Sequence, residues 1–215
     1  MTDHELQARK WIRRKEARPM EIVDAALDLF VEKGFVATKM EDIARRAGVT
    51  KGTPYLYFAN KEEIFKEVVR TSFGQHLTEG EEFVRTFEGS SSDLLVASMR
   101  KWWGWVGDSR LSGIPKLMMA EAGNFPELAK FYGEEVILRG NRVLETILNR
   151  GIAAGEFRSM DVEYTVSVII GPMLKALMWK HSFGCCGLGQ VDMERYLTCY
   201  FDVILNGIAA KTPAK

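Results

Sequence analysis

The sequence has few of the residues from which metal sites, disulfides and catalytic centres are usually built. It contains three cysteines in 215 residues, and its three histidines (His4, His76 and His181) lie far apart in the chain. An odd number of cysteines gives no disulfide framework. No Ser/His/Asp order, phosphate-binding glycine loop or metal triad is recognisable. We therefore expect no enzymatic activity, no cofactor and no metal site.

A net charge is also missing, because 29 basic and 29 acidic side chains cancel. Overall charge therefore neither favours nor excludes a nucleic-acid partner. The charges are unevenly distributed, with 12 Lys and Arg against 9 Asp and Glu in residues 1–61, and 17 against 20 in the remainder. The basic excess lies in residues 1–18. We interpret this segment as an N-terminal arm that either follows DNA phosphates or is a solvated tail.

Long apolar runs are scarce. The first twenty residues lack the apolar core of a secretion signal. The most apolar stretch, Val166–Leu174, contains Gly171 and Pro172 and is followed by Lys175. Such a stretch is too short to span a bilayer. These features predict a cytoplasmic protein without a membrane partner.

The polar/apolar alternation of β-strands is absent, whereas helical periodicity runs through nearly the whole chain, which predicts an all-α fold. The first strong helix is predicted from Pro19, at its first turn, to Lys33, with Gly34 as its stop. Further helices are predicted near residues 39–47, 51–58, from 61 to beyond 73, 93–106, 114–122, 126–154, 161–183 and 192–209.

Two short predicted helices stand on either side of Gly48-Val49-Thr50, which is typical of a helix-turn-helix. The first begins at Thr38, whose hydroxyl and the carboxylate of Glu41 have the spacing of a capping box. The second is short enough to present its N-terminal end to a DNA major groove. The pattern predicts a three-helix DNA-binding domain over residues 19–61. A larger ligand-binding and dimerisation domain is predicted over residues 62–215.

The residues around this turn include a distinctive set of short segments: Phe35–Thr38, Asp42–Ala44, Ala47–Thr53, Tyr55, Tyr57-Phe58 and Asn60–Glu62. These segments resemble the N-terminal domain of the TetR family of repressors. Beyond about residue 66 the similarity to one branch of the family is confined to the helix pattern and two short segments, Ala120–Ala122 and Phe125–Leu128. The resemblance implies a homodimer that binds a palindromic DNA operator and responds to a small, hydrophobic effector.

The resemblance also implies which residues contact DNA. Lys51 is the candidate for a guanine contact in the major groove, and Thr38 and Lys61 are candidates for phosphate contacts. Pro54 stands where the family usually has an aliphatic residue, so we expect the recognition helix to begin late or with a tighter turn. The predicted DNA-binding residues are Thr38, Lys39, Lys51, Gly52, Thr53, Tyr55, Tyr57 and Lys61.

The larger domain is rich in Met and aromatic side chains, which can line an irregular apolar cavity or simply fill a core. Glu121 lies in an apolar helix, where it would meet either a cationic ligand group or an arginine. Cys185 and Cys186 follow His181 and could sense a soft metal or redox state, although they lack C-x-x-C spacing. The predicted pocket residues are Met99, Trp102, Trp103, Met118, Met119, Glu121, Phe125 and Met178.

The last two long helices are apolar on more than one face, which favours a four-helix interface between two copies. We expect effector binding to shift the long helix after Lys61 and to change the separation of the two DNA-binding domains. The alternative is a helical ligand-binding or scaffolding dimer that does not read DNA. The predicted interface residues are Val166, Ile170, Leu174, Tyr196, Tyr200 and Val203.

Overall fold

The computed structural model describes the backbone of residues 3–186 and 191–210, and the side chains of 17–184, 186 and 191–210. Over these residues the chain is helical and forms no strand, apart from one isolated bridge between Phe157 and Ala209. The predicted all-α fold is confirmed. The helices are α1 (Asp3–Lys33), α2 (Met40–Arg46), α3 (Lys61–Thr86), α4 (Ser91–Trp102), α5 (Ile114–Glu121), α6 (Pro126–Tyr132), α7 (Leu138–Ala153), α8 (Val162–Phe183) and α9 (Met193–Ile208).

Short turns of other helix types connect or extend these elements. The π-helical turn Trp103–Gly107 continues α4, and a second one, Gly133–Ile137, joins α6 to α7. The predicted helix over 126–154 is therefore continuous in direction but wider at one turn. The 3-10 turns are Pro54–Leu56, Arg110–Gly113 and Gly184–Cys186.

The predicted start of the first helix at Pro19 is wrong. Helix α1 begins at Asp3 and passes through Pro19 without a break, so residues 3–18 are not a separate extended arm. The residues before Pro19 are mostly Arg, Lys, Glu, Ala, Leu and Gln, which favour helix. These residues add about four turns to α1, although proline removes one backbone hydrogen bond.

The N-terminal unit predicted to bind DNA, called the head from here on, is a small core of α1, α2 and the first turns of α3. Three phenylalanines form its centre, with ring centroids of Phe35 and Phe65 each within 5.6 Å of Phe30 and 5.6 Å apart. Gly34 ends α1 and Gly48 forms the turn after α2, at φ angles of +86° and +65° that favour glycine.

The predicted helix over Lys51–Phe58 is wrong in its type and length. The chain makes a turn after Thr50 and then a single 3-10 turn, in which Leu56 N donates to Thr53 O at 3.1 Å and Tyr57 N to Pro54 O at 3.1 Å. Pro54 has no amide hydrogen and is buried at the start of this turn. An α-helix beginning at residue 51 would need an amide at position 54 and space for its ring, so the tighter turn replaces it.

The body consists of α3–α9, with α3 continuing from the head as one helix. Helix α8 packs against α5 and α7, and α9 is fastened to α8 by two phenol hydroxyls. Tyr196 donates to Pro172 O at 2.6 Å and Tyr200 to Ile169 O at 3.0 Å. The apolar stretch in this region was predicted to be too short to span a bilayer, but α8 runs unbroken for 22 residues. Among the described helices, α8 alone is long and apolar enough to cross a membrane.

Candidate nucleic-acid interface and effector cavity

The turn between α2 and α3 exposes most of the residues predicted to read DNA. Tyr55 is 54% exposed, and Lys51 and Gly52 also face solvent. Lys51 Nζ lies 2.6 Å from Glu41 Oε1 at the start of α2, and this hydrogen bond holds the pKa of the Glu41 carboxyl below its usual range. The hydroxyls of Thr50 and Thr53 lie 2.8 Å apart. The ion pair is exposed and is therefore readily exchanged for a DNA contact.

Thr38 and Lys61, which were predicted to contact phosphates, point into the head instead. The buried Thr38 hydroxyl donates to Gly34 O at 2.7 Å, so it does not cap α2. The α2 N-cap is Lys39, whose amide donates to Asp42 Oδ2 at 3.3 Å. Lys61 Nζ donates to Phe35 O at 2.6 Å. Burial lowers the pKa of Lys61 from its usual value.

Two exposed residues beside the turn were missed from the sequence. Leu56 is 80% exposed, which is unusual for a large apolar side chain. Arg45 on α2 has a side chain that is 78% exposed, although one of its nitrogens pairs with Asp42 Oδ1. By contrast, Tyr57, which was predicted to contact DNA, is only partly exposed. Both missed residues fit groove contacts, since an aliphatic side chain packs on thymine methyl groups and a guanidinium pairs with guanine or phosphate. The exposure of Leu56 depends on the 3-10 turn at Pro54, so the sequence pattern did not predict it.

An apolar cavity of about 320 Å³ lies in the body, between α3, α4, α5, α7 and α8. Its volume is within the range of small-molecule sites, which is about 300–1,000 Å³. Both π-helical turns contribute side chains to its wall, including Trp105 and Ile137. Four predicted pocket residues lie on this wall: Met99, Trp102, Met118 and Met119.

The other four predicted pocket residues lie elsewhere. Trp103 is buried away from the cavity, where its indole N–H donates to Asp108 Oδ1 at 3.0 Å. Trp105 and Val106, three and four residues after Trp102, share its side of the helix and line the wall, whereas Trp103 does not. Met178 lies outside the wall as well. Glu121 accepts a hydrogen bond from Asn124 Nδ2 at 3.0 Å rather than pairing with an arginine.

Phe125, the fourth of these residues, contacts the head. Its ring centroid is 4.8 Å from that of Phe35, with the rings at 79°. Lys61 Nζ lies 4.3 Å from the centre of the same Phe35 ring. The α5–α6 junction, whose preceding helix carries Met118 and Met119 on the cavity wall, therefore touches the core of the head.

A second contact joins head and body through the 3-10 turn Arg110–Gly113. The Arg110 guanidinium pairs with Asp24 and Asp28 on α1. A Cβ at Gly113 would lie 2.6 Å from Val31 Cγ1, so only glycine allows this turn to approach α1 so closely. Body and head therefore meet on both sides of α5, which itself packs against α1.

The predicted interface residues divide into two groups. Val166 and Tyr200 are buried inside the protomer, and Ile170 and Leu174 lie on the cavity wall, so these four face inward. Val203, at 64% exposed, and the partly exposed Tyr196 remain at the surface. Val166, Ile170 and Leu174 do lie on one side of α8, as the helical period predicted, but that side packs within the protomer. Tyr164 and Val168 on α8 are exposed apolar residues of the opposite side, at 71% and 61%.

The cysteine and histidine cluster suggested by the sequence does not assemble in the part of the chain that the structure describes. His181 Nε2 lies 2.8 Å from Ser112 Oγ. Cys186 is exposed, and the side chain of Cys185 lies outside the described residues. No group of three metal-ligating side chains comes together among the described residues.

Known protein families match both the head and the body of the chain. The family profile of bacterial regulatory proteins of the tetR family matches residues 22–68, and that of the tetracyclin repressor-like C-terminal domain matches residues 88–182. The fatty acid metabolism regulator protein of Bacillus subtilis (strain 168) is 30% identical over 162 residues, which cover 74% of this chain and 81% of that protein. The chain belongs to the TetR family of transcriptional regulators. The predicted ligand-responsive repressor with a helix-turn-helix head is confirmed at this level.

Other relatives of this TetR-family regulator include the transcriptional repressor KstR2 of Rhodococcus jostii (strain RHA1), at 26% identity over 91% of this chain and 93% of that protein. Among solved structures, the regulator FadR from Bacillus subtilis in complex with stearoyl-CoA matches with a TM-score of 0.75 and 25% identity. The match covers 88% of this chain and 98% of that one. The fold of head and body is therefore shared over nearly the whole length.

Proposed function

We propose that this TetR-family regulator is a homodimeric repressor that binds a palindromic operator and releases it when an apolar or amphipathic molecule enters the body. The observation that supports this proposal most directly is the position of α5. Its residues line the cavity on one side, and the junction that follows it contacts the head through Phe125. A ligand that displaces α5 would therefore move the head relative to the body.

The turn around Pro54 supports the DNA-binding part of the proposal. Lys51, Tyr55 and Leu56 are solvent-exposed on the segment that follows the Gly48 turn. We expect Lys51 to leave Glu41 and to contact a DNA base or phosphate instead. We expect Lys39 and Arg45 to contact the DNA phosphates and so to position the head on the duplex. In a dimer the two reading turns would lie about 34–36 Å, or a multiple, apart along the duplex.

The effector class is proposed from the cavity and from the relatives. The wall is largely apolar and contains the three methionines Met99, Met118 and Met119, which adapt to flexible ligands. One relative is named for fatty acid metabolism, and the structurally similar FadR contains stearoyl-CoA. We propose a fatty acyl compound as the effector of this chain.

Selection of duplexes from a random DNA library at near-physiological salt tests the proposal first. We expect an enriched inverted repeat, and operator binding that weakens when a long-chain acyl-CoA is added. The coupling free energy is expected to be about 1–3 kcal/mol, or roughly 5- to 150-fold in affinity. A folded dimer that enriches no motif would support the alternative, a helical ligand-binding or scaffolding protein without sequence-specific DNA binding. An operator complex that ignores every acyl ligand would refute the effector class alone.

A further inference from the structure

The cavity wall carries formal charge at only one place. Among its described lining residues, Lys101 on α4 is the one lysine or arginine, and no aspartate or glutamate lines the cavity. His76 on α3 and Ser98, one turn before Lys101 on α4, are polar neighbours on the same wall. A pocket that is apolar over most of its surface, with a few convergent polar groups, is typical of a site that orients its ligand.

Two buried polar atoms at this place lack a hydrogen-bond partner. They are Ser98 Oγ and His76 Nδ1. A helical serine or threonine often donates to the carbonyl four residues earlier, as Thr71 does to Glu67 O at 2.7 Å. Ser98 makes no such bond. Glu79 Oε2 is 3.6 Å from His76 Nδ1, beyond hydrogen-bond distance. Buried polar atoms in native proteins are normally satisfied, so the Ser98 hydroxyl in particular is open to a ligand atom.

Aromatic rings hold the lysine in place. Lys101 Nζ is 4.7 Å from the ring centre of Phe83 and 5.2 Å from that of Trp105. The imidazole of His76 stacks on Trp105 with ring centroids 4.9 Å apart and an angle of 17°. Among the described residues, no carboxylate lies within salt-bridge distance of Lys101, and its contacts are with these two rings. Its ammonium is therefore positioned beside the cavity and available to a ligand.

We propose that Lys101 and Ser98, with His76 beside them, bind the anionic end of an effector whose apolar chain fills the cavity. This inference rests on the proposed function and specifies its ligand as an anion-terminated acyl chain. The ammonium and the Ser98 hydroxyl would donate to an oxyanion, and charge-assisted hydrogen bonds are the stronger kind. The oxyanion is the carboxylate of a free fatty acid or a phosphate of its coenzyme A thioester. A neutral lipid of the same length offers neither.

Glu79 provides an opposing charge that sharpens the test. A hydrogen bond from Gln75 and, to a smaller extent, His76 and Lys101 hold the pKa of the Glu79 carboxyl below its usual range. The carboxylate is therefore ionised at neutral pH and would repel a second anion beside Lys101. Removing it should strengthen binding of an anionic ligand, whereas loss of a merely structural residue would weaken binding of every ligand.

The experiment is calorimetric titration of the full chain with three C12 ligands: laurate, lauroyl-CoA and 1-dodecanol. We expect wild type to bind at least one of the anions about tenfold more tightly than the alcohol. Lys101→Gln should abolish most of this preference while leaving dodecanol binding unchanged, and Ser98→Ala should reduce it less. Glu79→Gln should increase it. Lys130→Gln, which removes an exposed lysine outside the cavity, is the matched control.

The ligands also separate the possible outcomes. A preference for laurate alone identifies a carboxylate as the bound group, a preference for lauroyl-CoA alone identifies a phosphate, and a preference for both shows that the site accepts either oxyanion. High salt should reduce either preference because Lys101 is exposed. Equal binding of dodecanol and the anions, or a preference that survives in folded Lys101→Gln, would overturn the anion site and leave the effector cavity intact. No binding of any of the three ligands, together with an operator affinity that no acyl ligand changes, would overturn the anion site and the acyl effector class and leave the operator-binding proposal standing.

Discussion

Phe125 of the body and Phe35 of the head form an edge-to-face pair with ring centroids 4.8 Å apart. Phe35 is buried in the head, against Phe30 and Phe65, and accepts the Lys61 ammonium at its backbone carbonyl. Phe125 follows α5, whose residues line the cavity. A displacement of α5 would therefore reach the centre of the head rather than its surface.

Phe125→Ala is expected to uncouple the effector response from DNA binding. The substitution removes the aromatic contact, which contributes about 0.5–1.5 kcal/mol beyond its buried area, without touching the reading turn or the cavity wall. Operator affinity without effector should stay within about threefold of wild type. The loss of affinity on adding effector should shrink markedly. Fluorescence anisotropy of a labelled operator, measured with and without effector, checks both quantities.

Phe131→Ala is the matched control, because Phe131 lies on α6, six residues after Phe125, but its ring contacts Lys66 and Arg70 on α3 rather than Phe35. This variant should keep the effector response. If both variants retained the full response, the Phe35–Phe125 contact would not be the route of coupling.

Lys61 and Lys51 are expected to separate stability from DNA binding. Lys61→Met leaves Phe35 O without its donor and should destabilise the protein by about 1–3 kcal/mol, or roughly 2–10 °C in midpoint temperature. Lys51→Met removes only an exposed ion pair with Glu41 and should leave the midpoint nearly unchanged. It should weaken operator binding by about 1–3 kcal/mol. Thermal melts and operator titrations of the two variants are the measurements. A Lys61→Met protein of wild-type stability with lost DNA binding would instead restore Lys61 as a phosphate contact.

His181 should make stability depend on pH near neutrality. Burial, together with Lys180 and Lys116, lowers the pKa of His181 below 6.5, and its ring bonds to Ser112 beside the turn that contacts α1. The unfolded chain then binds the proton more readily than the folded one. The contribution of neutral His181 is present above pH 6.5 and is lost as pH falls through its folded pKa.

Thermal melts from pH 8 to pH 5 test this dependence in wild type and His181→Asn. The stability difference between the two proteins should narrow as the pH falls, because only wild type loses the contribution of a neutral imidazole. Parallel curves for the two proteins would contradict the assignment.

The exposed apolar face of α8 and α9 is expected to hold the proposed dimer together. Val168 and Val203 are 61% and 64% exposed in the protomer. Val168→Glu or Val203→Glu would place a carboxylate in an apolar interface, where an unpaired charge is costly. Light scattering should show a shift from dimer to monomer and operator binding should fall. Leu138→Glu, which charges another exposed apolar side chain on α7, should leave the dimer intact. An unaffected dimer in both α8 and α9 variants would place the interface elsewhere.

The sequence by itself determined the helical content, the Gly48 turn and the family, because these follow from local pattern and from a short string of residues. Period 3.6 identified the helices, and glycine is needed where φ is positive. It also anticipated that Pro54 would tighten the reading segment, since proline acts through its own missing amide. Local sequence also allowed four residues to be assigned correctly to the cavity wall: Met99, Trp102, Met118 and Met119.

Only the tertiary structure decided which direction the remaining side chains face. Trp102 and Trp105 line the cavity, whereas Trp103 between them is buried elsewhere and donates to Asp108. An apolar stripe on α8 looked like an interface, but Val166 and Ile170 pack within the protomer. Lys61 and Phe125 acquire their roles from partners 26 and 90 residues away in the chain, Phe35 in both cases. Such long-range contacts leave no periodic signal, because they depend on how the helices cross.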